Sequence, residues 1–181
     1  MQTNQFAELE ANLEAMLHES MVKIGYMKGK PVGVYYTEDL LCHLLGIPTG
    51  DRQEASSLLT QFADDSEELW GRISFEYANR RYKLTVPAKG LDYVYQRNKD
   101  KHFLEELINT LKKPDITIDD VTKVFKKYSD NVISEKSNND EFEYAVHFAD
   151  KRIDAFIYCF SFDEMGQYYH RFTEYDYVNL K

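Results

Sequence analysis

Apolar residues in the N-terminal stretch recur at helical spacing. Residues 3–25 predict one long helix, in which Thr3 is a candidate N-cap and Gly25 ends the pattern. The apolar positions that define its inner side are Phe6, Leu9, Leu13, Leu17 and Ile24. At about 1.5 Å per residue this helix is roughly 33 Å long, which exceeds what a small domain needs to cover. We therefore expect a homodimer formed through this helix.

Two helical patterns follow a short predicted strand, Val32 to Tyr36. The first runs from Glu38 to Leu45, with Thr37 as its N-cap and Gly46 just beyond its end. The second runs from about 51 to 63. Its inner stripe has the spacing i, i+3, i+4, i+7 and consists of Ala55, Leu58, Leu59 and Phe62.

A hairpin and a further helix complete the first half of the chain. The acidic stretch 64–68 predicts a loop or a frayed helix end. Apolar and polar residues then alternate over 72–77 and again over 82–86, which predicts two antiparallel strands joined by a turn at 78–80. A helical pattern over 89–97 follows.

The second half of the chain begins with two helices and continues with strands. Apolar spacing predicts helices over 101–112 and from Ile118, the latter opened by a capping box of Thr117 and Asp120. Three segments then predict an antiparallel meander: about 141–148, 152–162 and 167–173. The middle segment is apolar on both faces, so we expect it to be central and covered on both sides.

The order of elements in residues 3–97 is helix, short strand, helix, turn, helix, hairpin, helix. This order resembles a winged helix-turn-helix domain. The stretch 82–85 followed by Lys89-Gly90-Leu91 is similar to the end of a wing and the start of the next helix in many bacterial winged-helix regulators. The whole chain also resembles uncharacterised bacterial domain families of unknown function.

The resemblance implies an α+β fold in two parts. Residues 1–97 form a winged-helix-like unit, and residues 98–181 form a second α+β domain with a helical pair and a three-stranded antiparallel β-meander. Because the linker at 98–101 is short, we expect the two domains to pack together. The resemblance also makes the 51–63 helix a recognition helix and 79–81 a wing tip. The DNA-binding residues that it implies are Arg52, Gln53, Ser56, Arg80 and Arg81.

The charge of the chain argues against a nucleic acid partner. It has 22 Lys and Arg against 31 Asp and Glu, a net charge of −9. Residues 1–97 contain 10 basic and 14 acidic side chains, a net of −4. Affinity for DNA comes mostly from neutralised phosphates, often about six or more in a stable complex. We therefore expect a non-enzymatic interaction or regulatory protein that acts through protein contacts, since winged-helix domains also bind proteins.

Two alternatives remain open from the sequence. The first is a DNA-binding transcriptional regulator that uses the five residues named above. The second is a small-ligand-binding protein or an enzyme with a pocket between the two halves. The sequence contains no glycine-rich phosphate loop, paired-histidine zinc signature, serine elbow or Cys-x-x-Cys motif. We therefore expect no catalytic residue, cofactor or metal site.

Two small groups of chemically active residues have a spacing that could bring them together. Glu10, Glu14 and His18 lie at i, i+4, i+8 on the first helix, so their carboxylates and imidazole could bind a metal from one face of it. Residues with this spacing more often form a solvated stripe on the helix surface. Cys159 and His170 would face each other across a hairpin that turns at 164–165. We favour a buried cysteine over a catalytic dyad, because no orienting acid is evident.

The N-terminal stretch has no resemblance to a signal peptide, and no apolar run approaches the roughly 18–20 residues of a membrane span. The only two cysteines, Cys42 and Cys159, each lie within an apolar pattern and are expected to be reduced thiols. These observations favour a cytoplasmic protein.

Overall fold

A computed structural model describes residues 5–137, 139–163 and 166–180. The chain divides into two compact units, Met1–Asp100 and Lys101–Lys181, here called unit 1 and unit 2. Both units combine helices with an antiparallel sheet, so the expectation of an α+β protein is confirmed.

Unit 1 alternates helices with three strands. Its elements are α1 (Ala7–Ile24), β1 (Val32–Thr37), α2 (Glu38–Leu45), α3 (Arg52–Asp65), α4 (Glu67–Trp70), β2 (Ser74–Ala78), β3 (Arg81–Val86) and α5 (Ala88–Asn98). The loop predicted over 64–68 is wrong, because α3 continues to Asp65 and α4 follows directly. The physical reason is Trp70, which is fully buried at the end of α4 and must reach the core.

The strands of unit 1 form an antiparallel sheet in the order β1-β3-β2. Val34 lies opposite Leu84, which in turn lies opposite Phe75, so one face carries apolar side chains from all three strands. This face packs into one core with α1, α2, α3 and α5. The alternation predicted for the two strands of the hairpin is confirmed at Phe75 and Leu84.

Helix α1 packs against its own unit along its apolar stripe. Leu9, Leu13 and Leu17 are at most 1% exposed. The predicted N-cap, Thr3, lies outside the described residues, and Phe6 occupies the N-cap position. A second copy of the chain could not use this stripe. Homodimerisation through α1 stays a prediction, and it would have to use the opposite side of the helix.

Unit 2 contains two helices, a sheet and a short terminal helix. Its elements are α6 (Phe103–Leu111), α7 (Ile118–Lys126), β4 (Val132–Lys136), β5 (Tyr144–Phe148), β6 (Ile157–Asp163), β7 (Gly166–Phe172) and α8 (Glu174–Val178). The Thr117–Asp120 capping box opens α7 as predicted. The three strands of the predicted meander are confirmed as β5, β6 and β7, and β4, which was not predicted, extends the sheet to the order β4-β5-β6-β7. Strand β4 lies at the edge and is almost entirely exposed, so it lacks the apolar alternation of a buried strand.

Strand β6 lies inside the sheet and is covered on both faces. On one face Tyr158 contacts the aromatic rings of Phe103 and Phe125 from the two helices. On the other face Cys159 packs in a cluster with Phe142. The strand begins at Ile157 rather than near 152, because the Asp154 carboxylate accepts hydrogen bonds from the Phe156 N–H and the Tyr158 hydroxyl and holds a turn.

Candidate functional site

The exposed side of α3 and the turn between β2 and β3 form what we call the α3–hairpin surface. It comprises Arg52, Gln53, Ser56, Ser57 and Thr60 of α3 together with Asn79, Arg80 and Arg81 of the turn, all of which are exposed. Caps fix the helices beneath it. The Thr37 Oγ1 accepts from the Leu40 N–H at 3.2 Å to start α2, and the Asp51 Oδ1 accepts from the Glu54 N–H at 3.1 Å to start α3.

Glu38 joins α2, α3 and the hairpin at one point. Its carboxylate accepts from the Arg52 Nε at 3.1 Å and from the Tyr77 hydroxyl at 3.0 Å. Its backbone N–H donates to the Arg80 carbonyl oxygen at 3.3 Å. The side chain of Glu38 is 6% exposed, so these donors replace the water that a carboxylate needs.

Electrostatics at this point favour the charged forms of both partners. The hydrogen bond from Arg52 lowers the pKa of Glu38, with a smaller lowering by the Tyr77 hydroxyl. The same hydrogen bond raises the pKa of Arg52. The Arg52 guanidinium also lies over the Tyr77 ring, 4.7 Å from its centroid. Arg52 is therefore held by a carboxylate and an aromatic face of its own chain.

The turn of the hairpin has an uncommon backbone. Asn79 and Arg80 adopt φ values of 52° and 60°, both in the left-handed region. Tight two-residue hairpin turns require this conformation, and asparagine tolerates it well. Glycine is the usual residue at the second position, because an L side chain is crowded there. Arg80 therefore stands where the backbone favours glycine.

The structure places the five residues of the DNA-binding alternative on the α3–hairpin surface. Through Glu38 it brings Arg52 near Arg80, while Gln53 and Ser56 follow along the exposed side of α3. Sequence reasoning missed Glu38 and Tyr77, which hold this surface together. The available signal was a glutamate directly after a helix N-cap and a tyrosine on the inward face of a strand.

Carboxylates dominate the charge of α3. The helix contains one basic side chain, Arg52, against three acidic ones, and all four residues are exposed. The acidic residues are Glu54, Asp64 and Asp65. Two further exposed carboxylates follow in α4, Glu67 and Glu68. A polyanion lying along this helix would meet more like charge than opposite charge.

The metal candidate on α1 is used by the fold instead. The Glu10 Oε1 accepts from the Trp70 Nε1 at 3.1 Å. The Glu14 carboxylate accepts from the Arg97 Nε at 3.2 Å and the Asn98 Nδ2 at 2.8 Å. Within the part of the chain that the structure describes, no group of three or more His, Cys, Asp or Glu residues could hold a metal ion.

The predicted pairing of Cys159 with His170 is confirmed by the register of β6 and β7. The thiol is fully buried, and this burial raises the pKa of Cys159 to about 12. A nucleophilic cysteine needs a lowered pKa, so the geometry is that of a structural thiol. Burial likewise raises the pKa of Cys42.

A family model described as a domain of unknown function, E. rectale gene description (DUF3877), matches residues 6–181. No curated protein and no solved structure matches the chain. None of the helices in residues 5–137, 139–163 and 166–180 is long and apolar enough to cross a membrane.

Proposed function

Because the chain belongs to the DUF3877 family, whose function is unknown, we propose a function from the geometry of its own residues: unit 1 is a winged-helix-like module that binds a protein rather than DNA. The observation that carries this proposal is the charge of α3, where Arg52 is paired with Glu38 and the other charged side chains, Glu54, Asp64 and Asp65, are acidic.

The order of elements in unit 1 supports the winged-helix part of the proposal. Helices α2 and α3 follow one another through a short turn, and the β2–β3 hairpin comes next in the chain. Strand β1 pairs with β3, so β1 and β2 form the two edges of the sheet. In such a module α3 takes the position of a recognition helix, and 79–81 takes the position of the wing tip.

The charges support a protein partner. A stable DNA complex needs several cations aimed at phosphates. On this surface Arg52 is already bonded to a buried carboxylate, and the side chains farther along α3 are polar or acidic. Protein interfaces often include such mixed polar surfaces, because each polar or charged side chain needs only a complementary group of the partner protein close to it.

The test is site-specific photocrosslinking in cells of the source organism. A photoreactive phenylalanine analogue replaces Ser57, which is exposed on α3. The matched control carries the same analogue in place of Gln96, which is exposed on α5. We expect discrete protein adducts from the Ser57 position that are absent from the Gln96 position. Nucleic acid adducts at Ser57, or no specific adduct, would overturn the proposal.

DNA binding is the second candidate, because Arg80 and Arg81 are exposed at the wing tip and make no ion pair with any described residue. A titration with mixed-sequence duplex DNA at low salt separates the two candidates. We expect no binding by the wild type. Tight binding that weakens with salt, and whose salt dependence falls in a variant with Arg80→Ala and Arg81→Ala, would favour DNA instead.

A further inference from the structure

The seven arginines of the chain differ in what they contact. Three pair with a carboxylate: Arg52, Arg97 and Arg152. Arg171 lies over the Phe156 ring, 4.2 Å from its centroid. Three are exposed and make no ion pair with any residue that the structure describes: Arg72, Arg80 and Arg81. Two of these three, Arg80 and Arg81, are adjacent in the hairpin turn, so two positive charges lie side by side there without a close ion pair.

The backbone of the turn is held in place from outside the hairpin. The Arg80 carbonyl accepts from the Glu38 N–H, and Arg81 lies opposite Thr37 in the sheet. Arg80 keeps a φ of 60° at a position where glycine fits with less strain. Strain of this kind persists where the surrounding structure fixes it, and it is concentrated at binding sites.

A fixed turn presents its side chains at low entropic cost to a ligand. The guanidinium group has a planar set of donors that matches a carboxylate or a phosphate with two parallel hydrogen bonds. We propose that the turn Asn79–Arg81 binds a carboxylate-rich segment of the partner protein, an inference that rests on the proposed protein-binding function of unit 1.

The number and setting of the charges favour a short acidic peptide over a nucleic acid. Two guanidinium groups can satisfy one or two carboxylates, whereas duplex DNA needs about six or more phosphate contacts. Helix α2, whose first residue donates a hydrogen bond to the turn, exposes the carboxylate of Asp39, and α3 exposes that of Glu54. These repel a continuous polyanion, while a short acidic segment can end before it reaches them.

The experiment combines two variants with the photocrosslinker at Ser57. The first variant carries Arg80→Gly and Arg81→Thr, which removes both guanidinium groups and leaves residues suited to a left-handed turn and a strand. The matched control is Arg72→Thr. Arg72 is also exposed, makes no ion pair with any described residue and lies just before the start of β2, at the end of the strand away from the turn. We expect the protein adduct to fall at least about tenfold in the double variant and to be unchanged in the control.

A direct probe completes the test. A fluorescein-labelled oligoglutamate peptide should bind the wild-type protein at low salt and should lose that binding in the double variant. The single variant Arg81→Thr, which leaves the two left-handed residues Asn79 and Arg80 unchanged, should show a partial loss and covers the case in which the double variant fails to fold.

The possible outcomes separate the two proposals. Absence of any adduct in the wild type would overturn the proposed function. An adduct that persists at full yield in the double variant would overturn only the role of the turn. The role of the turn would also be overturned if the wild type failed to bind oligoglutamate, or if it bound DNA in a way that depends on Arg80 and Arg81.

Discussion

Three tyrosines form one row across the inner face of the sheet in unit 1. Tyr36 on β1 lies opposite Tyr82 on β3, and Tyr82 lies opposite Tyr77 on β2. The hydroxyl groups of Tyr36 and Tyr82 are buried and have no hydrogen-bond partner among the described residues. The Tyr77 hydroxyl instead donates to the Glu38 Oε2 at 3.0 Å. The row therefore contains tyrosine hydroxyls both with and without a hydrogen-bond partner among the described residues.

We expect Tyr36→Phe to stabilise the protein. A buried hydroxyl without a partner loses about 1–3 kcal/mol of hydration on folding, and phenylalanine has no such group. The missing oxygen leaves a small gap, which costs a few tenths of a kcal/mol at about 24 cal/mol per Å³. The free energy of unfolding should therefore rise by about 1–2 kcal/mol. For a chain of this length that corresponds to a rise in Tm of about 2–8 °C.

Urea denaturation followed by tryptophan fluorescence measures the change in the free energy of unfolding of unit 1. The chain has a single tryptophan, Trp70, which is fully buried in unit 1 and reports its unfolding. Tyr82→Phe should behave like Tyr36→Phe. Tyr77→Phe should unfold at lower urea, because Glu38 loses a donor. A lower urea midpoint for Tyr36→Phe than for the wild type would refute the reasoning, since it would show that this hydroxyl has a partner.

Three further predictions follow from burial, backbone strain and protonation. Cys42 and Cys159 are at most 1% exposed, so neither thiol should react with Ellman's reagent before unfolding, and rapid labelling of the native protein would contradict their burial. Arg80→Gly should raise the urea midpoint, because the left-handed conformation costs an L residue about 1–2 kcal/mol; an unchanged or lower midpoint would show that the turn is not strained. The pKa of Glu38 is lowered in the folded state, so its contribution to stability is complete above the unfolded-state pKa of about 4.3 and is lost as the pH falls through the lower folded value. Glu38→Gln should therefore flatten the acid limb of stability against pH, and parallel curves for variant and wild type would exclude this role.

Local signals in the sequence were sufficient for most elements of the fold. Helix α2 begins after Thr37 and ends before Gly46 as predicted, because cap residues act through hydrogen bonds to their own neighbours. The acidic stretch 64–68 failed as a loop signal, since burial of Trp70 outweighs the helix-terminating tendency of the polar residues before it. Strand β4 was missed because an exposed edge strand needs no apolar alternation and is specified by pairing with β5.

The candidate site could be predicted only in part. The exposure of Arg52 follows from helical periodicity and that of Arg80 from its place in a turn, and both are local properties. The pairing of Arg52 with Glu38 spans 14 residues, and the bond from Tyr77 to Glu38 spans 39. No periodicity reports contacts at such separations, because they depend on how α2, α3 and the hairpin pack. The pairing of Arg52 with Glu38, on which the proposed function depends, could therefore not be predicted from the sequence.

The choice between a protein and a DNA partner depends on what releasing Arg52 would require. A base-reading arginine at the start of α3 would have to leave Glu38, whose carboxylate would remain buried with Tyr77 as a donor and without its cation. Arg52 is itself exposed, so the cost falls on the buried Glu38 carboxylate, which would lose one of its two side-chain donors. Any base contact would have to offset that loss before it added affinity, and the carboxylates farther along α3 would oppose it. The two arginines of the turn carry no such penalty, because they are exposed and make no close ion pair with any described residue, so they can bind a partner without leaving a contact of their own chain.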